Sequence, residues 1–151
     1  MTLTREEIIN QRPGRQLDRW IQEHIFNWVP WAEQRSDYLV VTFQKPGERE
    51  PYRGLQNWES QMERYSIIQF SEIDPMKHAV YGDKDWSTDI SAAWEVVTHL
   101  KSKYWYFMLS DENDGWEASF YWDPHRPAFE AVSTGAPEAI CKAALLAALK
   151  L

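Results

Sequence analysis

The residues best placed to do chemistry lie in one short loop, Asp123-Pro124-His125-Arg126-Pro127. Its two prolines fix their own φ and stiffen the segment. His125 and Arg126 offer donor or cationic groups between aromatic residues, with Trp122 before them and Phe129 after. An arginine presents a planar fork that matches phosphate or carboxylate, and a tryptophan ring can stack on a base. A second candidate clamp for an anion is the polar stretch carrying Lys45, Arg49, Tyr52 and Arg53, although Glu48 and Glu50 largely offset its charge. A third is the helix entrance at Thr134-Gly135, where unpaired backbone N–H groups attract negative charge. The other good entrance, Ser87-Thr88-Asp89, is ringed by Asp83, Asp85 and Asp89 and suits anions poorly. Trp20, Trp31, Trp58 and Trp86 fall off the cleanest apolar faces and are candidates to line a pocket or an interface, where Trp is enriched. Trp94 and Trp105 are expected in the core. The ligand-binding residues read from the sequence are therefore Trp122, His125, Arg126, Arg49, Tyr52, Arg53, Trp86 and Thr134.

No comparable set points to bond-breaking. The histidines are His24, His78, His99 and His125, with no H-x-x-x-H pair and no cysteine beside them. A zinc site needs three or four converging ligands, so no metal is expected. Asp111-Glu112-Asn113-Asp114-Gly115 lacks the alternating ligands and closing glutamate of a calcium loop and reads as a hairpin turn, with Gly115 free to take positive φ. Neither a G-x-S-x-G elbow nor a glycine-rich phosphate loop occurs. Cys141 lies on an apolar helix stripe, where a thiol acts as a small hydrophobe. We assign no catalytic residue and no cofactor.

The chain has 151 residues, with nine Trp, seven Tyr and six Phe, and a formal net charge of −7. That length suits one domain, residues 1–151, able to bury roughly 68–70% of its unfolded surface. The acidic balance argues against polymeric nucleic acid, whose phosphates demand a basic footprint, but leaves room for a small anionic ligand in a local Arg/Lys pocket. One cysteine excludes an internal disulfide. With no signal-peptide core and no run near ~20 apolar residues, the expectation is a soluble cytoplasmic protein without a membrane partner. Abundant aromatic surface makes a homo-oligomer the expected assembly.

The elements that position these residues follow from periodicity and punctuation. Thr4-Arg5-Glu6-Glu7 has capping-box spacing and predicts a short helix to about residue 10. Residues 16–28 predict a second helix with Leu17, Ile21, Ile25 and Trp28 on one face, ended by Val29-Pro30-Trp31. Residues 38–43 are a strand by β-branched and aromatic content, 44–54 a loop, 55–65 a short helix and 65–73 another strand. A helix over 89–101, capped by Thr88 or Ser87, has Ile90, Ala93, Trp94, Val97 and Leu100 as its apolar face. The unbroken apolar run 104–109 suits a strand covered on both faces. It forms a hairpin with the alternating run 116–122, and 128–133 adds a third strand. Pro137 opens the last helix, where Ile140, Cys141, Ala144, Leu145, Ala148 and Leu149 make a broad stripe. The class is α+β, with a central, mainly antiparallel sheet covered by helices on both faces.

Three segments carry a likeness to a known family: residues 86–97, Trp-Ser-Thr-Asp-Ile-Ser-Ala-Ala-Trp-Glu-Val-Val; residues 136–145, Ala-Pro-Glu-Ala-Ile-Cys-Lys-Ala-Ala-Leu; and the weaker 14–21, Gly-Arg-Gln-Leu-Asp-Arg-Trp-Ile, ahead of Trp28. With the hairpin, they cover residues 14–30 and 84–151 and resemble the phage ABA-sandwich domain of phage and prophage proteins. The resemblance implies an α/β/α sandwich and a phage or prophage origin, and brings no activity and no catalytic residues. The segment at about 34–83 departs from the pattern and reads as a family-atypical insertion. From the phage likeness and the loops, the expected function is a non-catalytic binding protein that sequesters a nucleotide-derived host immune signal of cyclic nucleotide or ADP-ribose type. The alternatives are an interaction or inhibitor module that binds a host protein and, further off, a small hydrolase using acidic residues and a histidine such as His125.

Overall fold

The structure is a computed structural model that describes residues 2–51, 55 and 57–151. In chain order its elements are α1 (Arg5–Asn10), α2 (Arg15–Trp20), β1 (Val29–Arg35), β2 (Tyr38–Gln44), α3 (Trp58–Gln61), β3 (Tyr65–Ile67), β4 (His78–Val80), α4 (Ile90–Lys101), β5 (Tyr106–Glu112), β6 (Gly115–Tyr121), β7 (Phe129–Ser133) and α5 (Ala136–Leu149). Helices together with two mainly antiparallel sheets make the chain α+β, as its patterning predicts. The strands divide between two compact units, Met1–Ile25 with Lys84–Leu151, and Phe26–Asp83. Among the described residues, no helix is long and apolar enough to cross a membrane.

The first unit is built around α5. Every residue from 139 to 147 is buried, because the helix packs on β6 and β7 and also against α4, α1 and the π-helical turn Ile21–Ile25 that extends α2. Its alanines let these neighbours approach closely, so over residues 139–147 the predicted stripe widens to the whole circumference, whereas Ala148, also placed on it, is exposed. Even Lys142 is buried: its Nζ donates to the Ile9 carbonyl at 2.9 Å and lies 3.6 Å from Glu138. The expected capping box of α1 is present, with Glu7 N donating to Thr4 Oγ1 at 3.2 Å and Thr4 N to Glu7 Oε2 at 2.7 Å. The cap of α4 is Asp89, whose Oδ1 accepts from Ser91 N at 2.8 Å, and not Thr88 or Ser87. Ser87 instead ties down the chain ahead of α2: its Oγ accepts from Gly14 N at 2.8 Å, and its own N–H donates to the buried Asp18 Oδ1 at 2.8 Å. Gly14 adopts φ +141°, which favours glycine there.

The sheet of this unit runs β5-β6-β7, antiparallel throughout. Trp116, Ala118 and Phe120 face α5, opposite Asp111, Leu109 and Phe107 on β5 and Ser133, Ala131 and Phe129 on β7. Three expectations fail here. The run 104–109 is not covered on both faces, since Tyr106 and Met108 are 56% and 53% exposed. Trp94 is not core: Ala93, Val96, Val97 and Leu100 form the buried face of α4, and Trp94 lies at its margin, edge-on to Phe107 at 5.7 Å. Gly115 does not serve through positive φ. A Cβ on it would stand 2.3 Å from the Ser133 carbonyl oxygen, so close backbone approach demands the glycine.

The second unit holds a four-stranded sheet in the order β3-β1-β2-β4, with β4 parallel to β2 and the other pairs antiparallel. Val29-Pro30-Trp31, read above as a helix end, opens β1. Pro30 is tolerated because it precedes the stretch from Trp31 to Glu33 that β3 pairs. Aromatic rings fill this unit: Trp58 lies edge-on to both Trp31 and Tyr65, and Phe43 stacks on Phe70. Of the expected 65–73 strand only Tyr65–Ile67 forms, and a 3₁₀ turn, Phe70–Glu72, follows it.

Candidate functional site

The loop after β6 is a compact turn set by Asp123. Its Oδ1 accepts from His125 N at 2.9 Å and its carbonyl from Arg126 N at 2.9 Å. An aspartate bonding the backbone two residues on holds such a turn closed. His125 and Arg126 consequently project as exposed side chains, and Arg126 has no ion-pair partner among the described residues. The preceding Trp122 is 56% exposed and held edge-on by Trp105, with ring centroids 5.3 Å apart. Trp105 in turn meets Phe129 at 5.9 Å. Stacked Tyr106 and Tyr121, 5.3 Å apart at 14°, close the same end of the sheet. Trp122, His125 and Arg126 are thus brought together as the sequence suggests.

One further residue joins them, and its neighbour in the chain is exposed. Trp105, expected in the core, is half-buried and supports Trp122. Tyr104 is 82% exposed and adopts φ +71° just past the end of α4, a left-handed position where glycine usually sits. Holding a bulky residue there costs about 1–3 kcal/mol. No local pattern marks Trp105, because its contact with Trp122 depends on how β5 pairs with β6.

The remaining predicted residues lie apart. Thr134 is exposed at the opposite end of β7, a strand of roughly 13 Å, and so cannot meet the loop. Trp86, whose place off the apolar stripe pointed to a pocket, is fully buried in the first unit. Arg49 is an exposed residue of the second unit, and Tyr52 and Arg53 lie outside the described residues. Lys45, beside them in sequence, is engaged over the Trp28 ring at 5.1 Å.

Buried ionisable groups serve the interior. Burial raises the Asp18 carboxyl above its ordinary range, opposed by hydrogen bonds from Ser87 and by the charge of Arg15, 3.7 Å away. Burial, aided by Asp18 and Glu138, pushes the Cys141 thiol well up, which keeps it protonated and unreactive. His99 is lowered by burial and by Lys103, against a backbone bond with Ile25. Among the described residues, no three His, Cys, Asp or Glu side chains are grouped to hold a metal ion. What the loop end can do is stack a planar ring and pair an anion with a guanidinium.

A comparison with curated proteins finds no match. A solved phage protein from Bacillus cereus ATCC 14579 is 20% identical, with 90% of this chain and 92% of that one covered and a TM-score of 0.48. A family model, that of the phage ABA sandwich domain, matches residues 19–145. The match takes in most of the chain and runs through α4, the hairpin and most of α5, so the chain belongs to the phage ABA sandwich domain family.

Proposed function

We propose that the protein is a phage-encoded, non-catalytic binding protein that captures a small anionic nucleotide-type ligand at the β6–β7 loop. In a phage, such capture would sequester a host immune signal of cyclic nucleotide or ADP-ribose type. The observation that carries this reading is an exposed Trp122 ring, braced by Trp105, next to an Asp123-locked turn that presents an uncommitted Arg126. Stacking of a base on such a ring contributes about 1–3 kcal/mol, and a hydrogen bond to a charged group about 1.5–3 kcal/mol. Tyr104 adds a second exposed ring whose backbone conformation is unfavourable for its type. That pattern is expected of a residue kept for what it touches.

The test mixes the protein with cyclic dinucleotides and ADP-ribose, follows tryptophan fluorescence and thermal shift, and releases the ligand by heat. The expected results are binding to one of these ligands and its recovery intact. Trp122→Ala should weaken affinity at least about fivefold and Arg126→Ala at least about tenfold, consistent with the energies above. Tyr104→Gly should weaken binding while raising the melting temperature, because glycine relieves the left-handed strain. Recovery of a cleaved product, or no shift with any nucleotide, would defeat the proposal.

A further inference from the structure

The face of the three-stranded sheet turned away from α5 has its own pattern. Register places Tyr106, Met108, Ser110 and Glu112 of β5, Glu117, Ser119 and Tyr121 of β6, and Glu130 and Val132 of β7 on it. Glu117 pairs directly with Ser110 and Val132, so Glu112 and Glu130 are its diagonal neighbours on either side. The three glutamates therefore cross the sheet as one diagonal, with backbone positions roughly 7–8 Å apart, which lets their long side chains meet. Apolar side chains flank that line and stand open: Tyr106, Met108 and Val132 are 56%, 53% and 63% exposed. No lysine or arginine occupies any of these positions.

We propose that this face docks a cationic protein segment, one presenting two or more arginine or lysine side chains between apolar groups. Charge complementarity selects that occupant. The carboxylates on the sheet crowd one another: the Glu117 carboxyl is pushed up to about 7, first by its hydrogen bond with Glu130, then by desolvation and the Glu130 charge, and further by Glu112. A guanidinium set between them removes that repulsion, and its partner's apolar groups cover Met108, Val132 and the tyrosines. A second copy of this chain does not fit, because face-to-face packing would bring two such acidic diagonals together. Phosphate-bearing polymers are repelled for the same reason. No three of these carboxylates are grouped to hold a metal ion. The surface is distinct from the Arg126 loop in both sign of charge and ligand.

A capped octapeptide of alternating arginine and leucine, titrated into isotopically labelled full-length protein, tests the proposal. We expect amide shifts confined to β5, β6 and β7, binding that weakens as salt rises, and no shifts from an octapeptide of alternating glutamate and leucine. Glu117→Gln with Glu130→Gln should lower affinity for the arginine peptide at least tenfold. These near-isosteric surface changes relieve repulsion, so an unchanged spectrum of the free variant certifies the fold. Three results would each overturn the proposal: shifts elsewhere, equal binding of the acidic peptide, and equal binding by the double variant. A stable dimer that Met108→Lys dissociates would equally replace the cationic partner with a second copy.

Discussion

Glu117 sits between two other carboxylates, and its folded-state pKa of about 7 stands above the ordinary 4.5. A raised carboxyl pKa means that the folded state holds its proton more tightly than the unfolded chain does. The associated stability is fully present below about pH 4.5 and is lost as pH rises through about 7. Glutamine cannot ionise, so Glu117→Gln should track the wild type at pH 4 and exceed it at pH 8. Like charges on neighbouring strands are worth a few tenths to about 1 kcal/mol, which sets the expected gap. Urea denaturation at pH 4, 6 and 8 measures it, and parallel curves for the two proteins would refute the crowding of Glu117 by Glu130 and Glu112. At this scale the sequence was informative where an arrangement is local. Trp122, His125 and Arg126 fall within five positions, and one aspartate turn suffices to present them. Trp105, Tyr104 and Trp86 were opaque, since their exposure is set by strand register and by packing from segments distant in the chain.

Asp89, and not the hydroxyl residues before it, caps α4, and the difference is measurable. Its carboxylate accepts from Ser91 N at 2.8 Å and approaches Ala92 N at 3.4 Å. Removing an N-cap acceptor costs typically ~1 kcal/mol, and losing the negative charge at the helix start adds to this. Asp89→Ala should therefore destabilise by about 1–2 kcal/mol, with Thr88→Ala nearly silent. Denaturant midpoints of the two variants decide the matter, and a larger loss from Thr88→Ala would move the cap back to the hydroxyl. The helices were legible because a 3.6-residue apolar period survives in the sequence whatever packs on it, and α1, α4 and α5 begin within a residue or two of their predicted starts. The hairpin of β5 and β6 was legible through alternation in β6 and turn chemistry after Asp111. β1 and β4 were not. Val29-Pro30-Trp31 carries the signal of a breaker, and His78-Ala79-Val80 is too short for any period to declare itself. The π-helical turn, which lets buried Ile21, Gln22 and Ile25 continue from α2, has no sequence signature either.

Taken as a whole, the chain invests its burial unevenly, and that has a dynamic consequence. The first unit closes only when residues 2–25 meet residues 84–151, since α1 and the π-helical turn both pack on α5. Within it α5 is buried continuously from 139 to 147. The second unit rests on the β1–β2 pair, and its outer strands β3 and β4 span three residues each. Opening free energies follow burial and hydrogen-bond density. The α5 amides should therefore exchange only when the first unit unfolds globally, whereas those of β3 and β4 should exchange through local opening. A difference on the order of a hundredfold in exchange rate, about 2.8 kcal/mol, is expected between the two sets. Hydrogen exchange resolved to peptides provides the measurement, with β2, whose residues 40–43 are buried, expected between them. Protection of β3 and β4 equal to that of α5 would mean that the chain opens as one cooperative body, and the ranking derived from burial would be wrong. The exposed face of β5–β6–β7 offers an internal control. The amides of Glu117 and Ser119 on the central strand β6 are flanked by a strand on each side, so they should exchange slowly although their side chains lie on the open face, because the ladder bonds and not side-chain exposure set the rate.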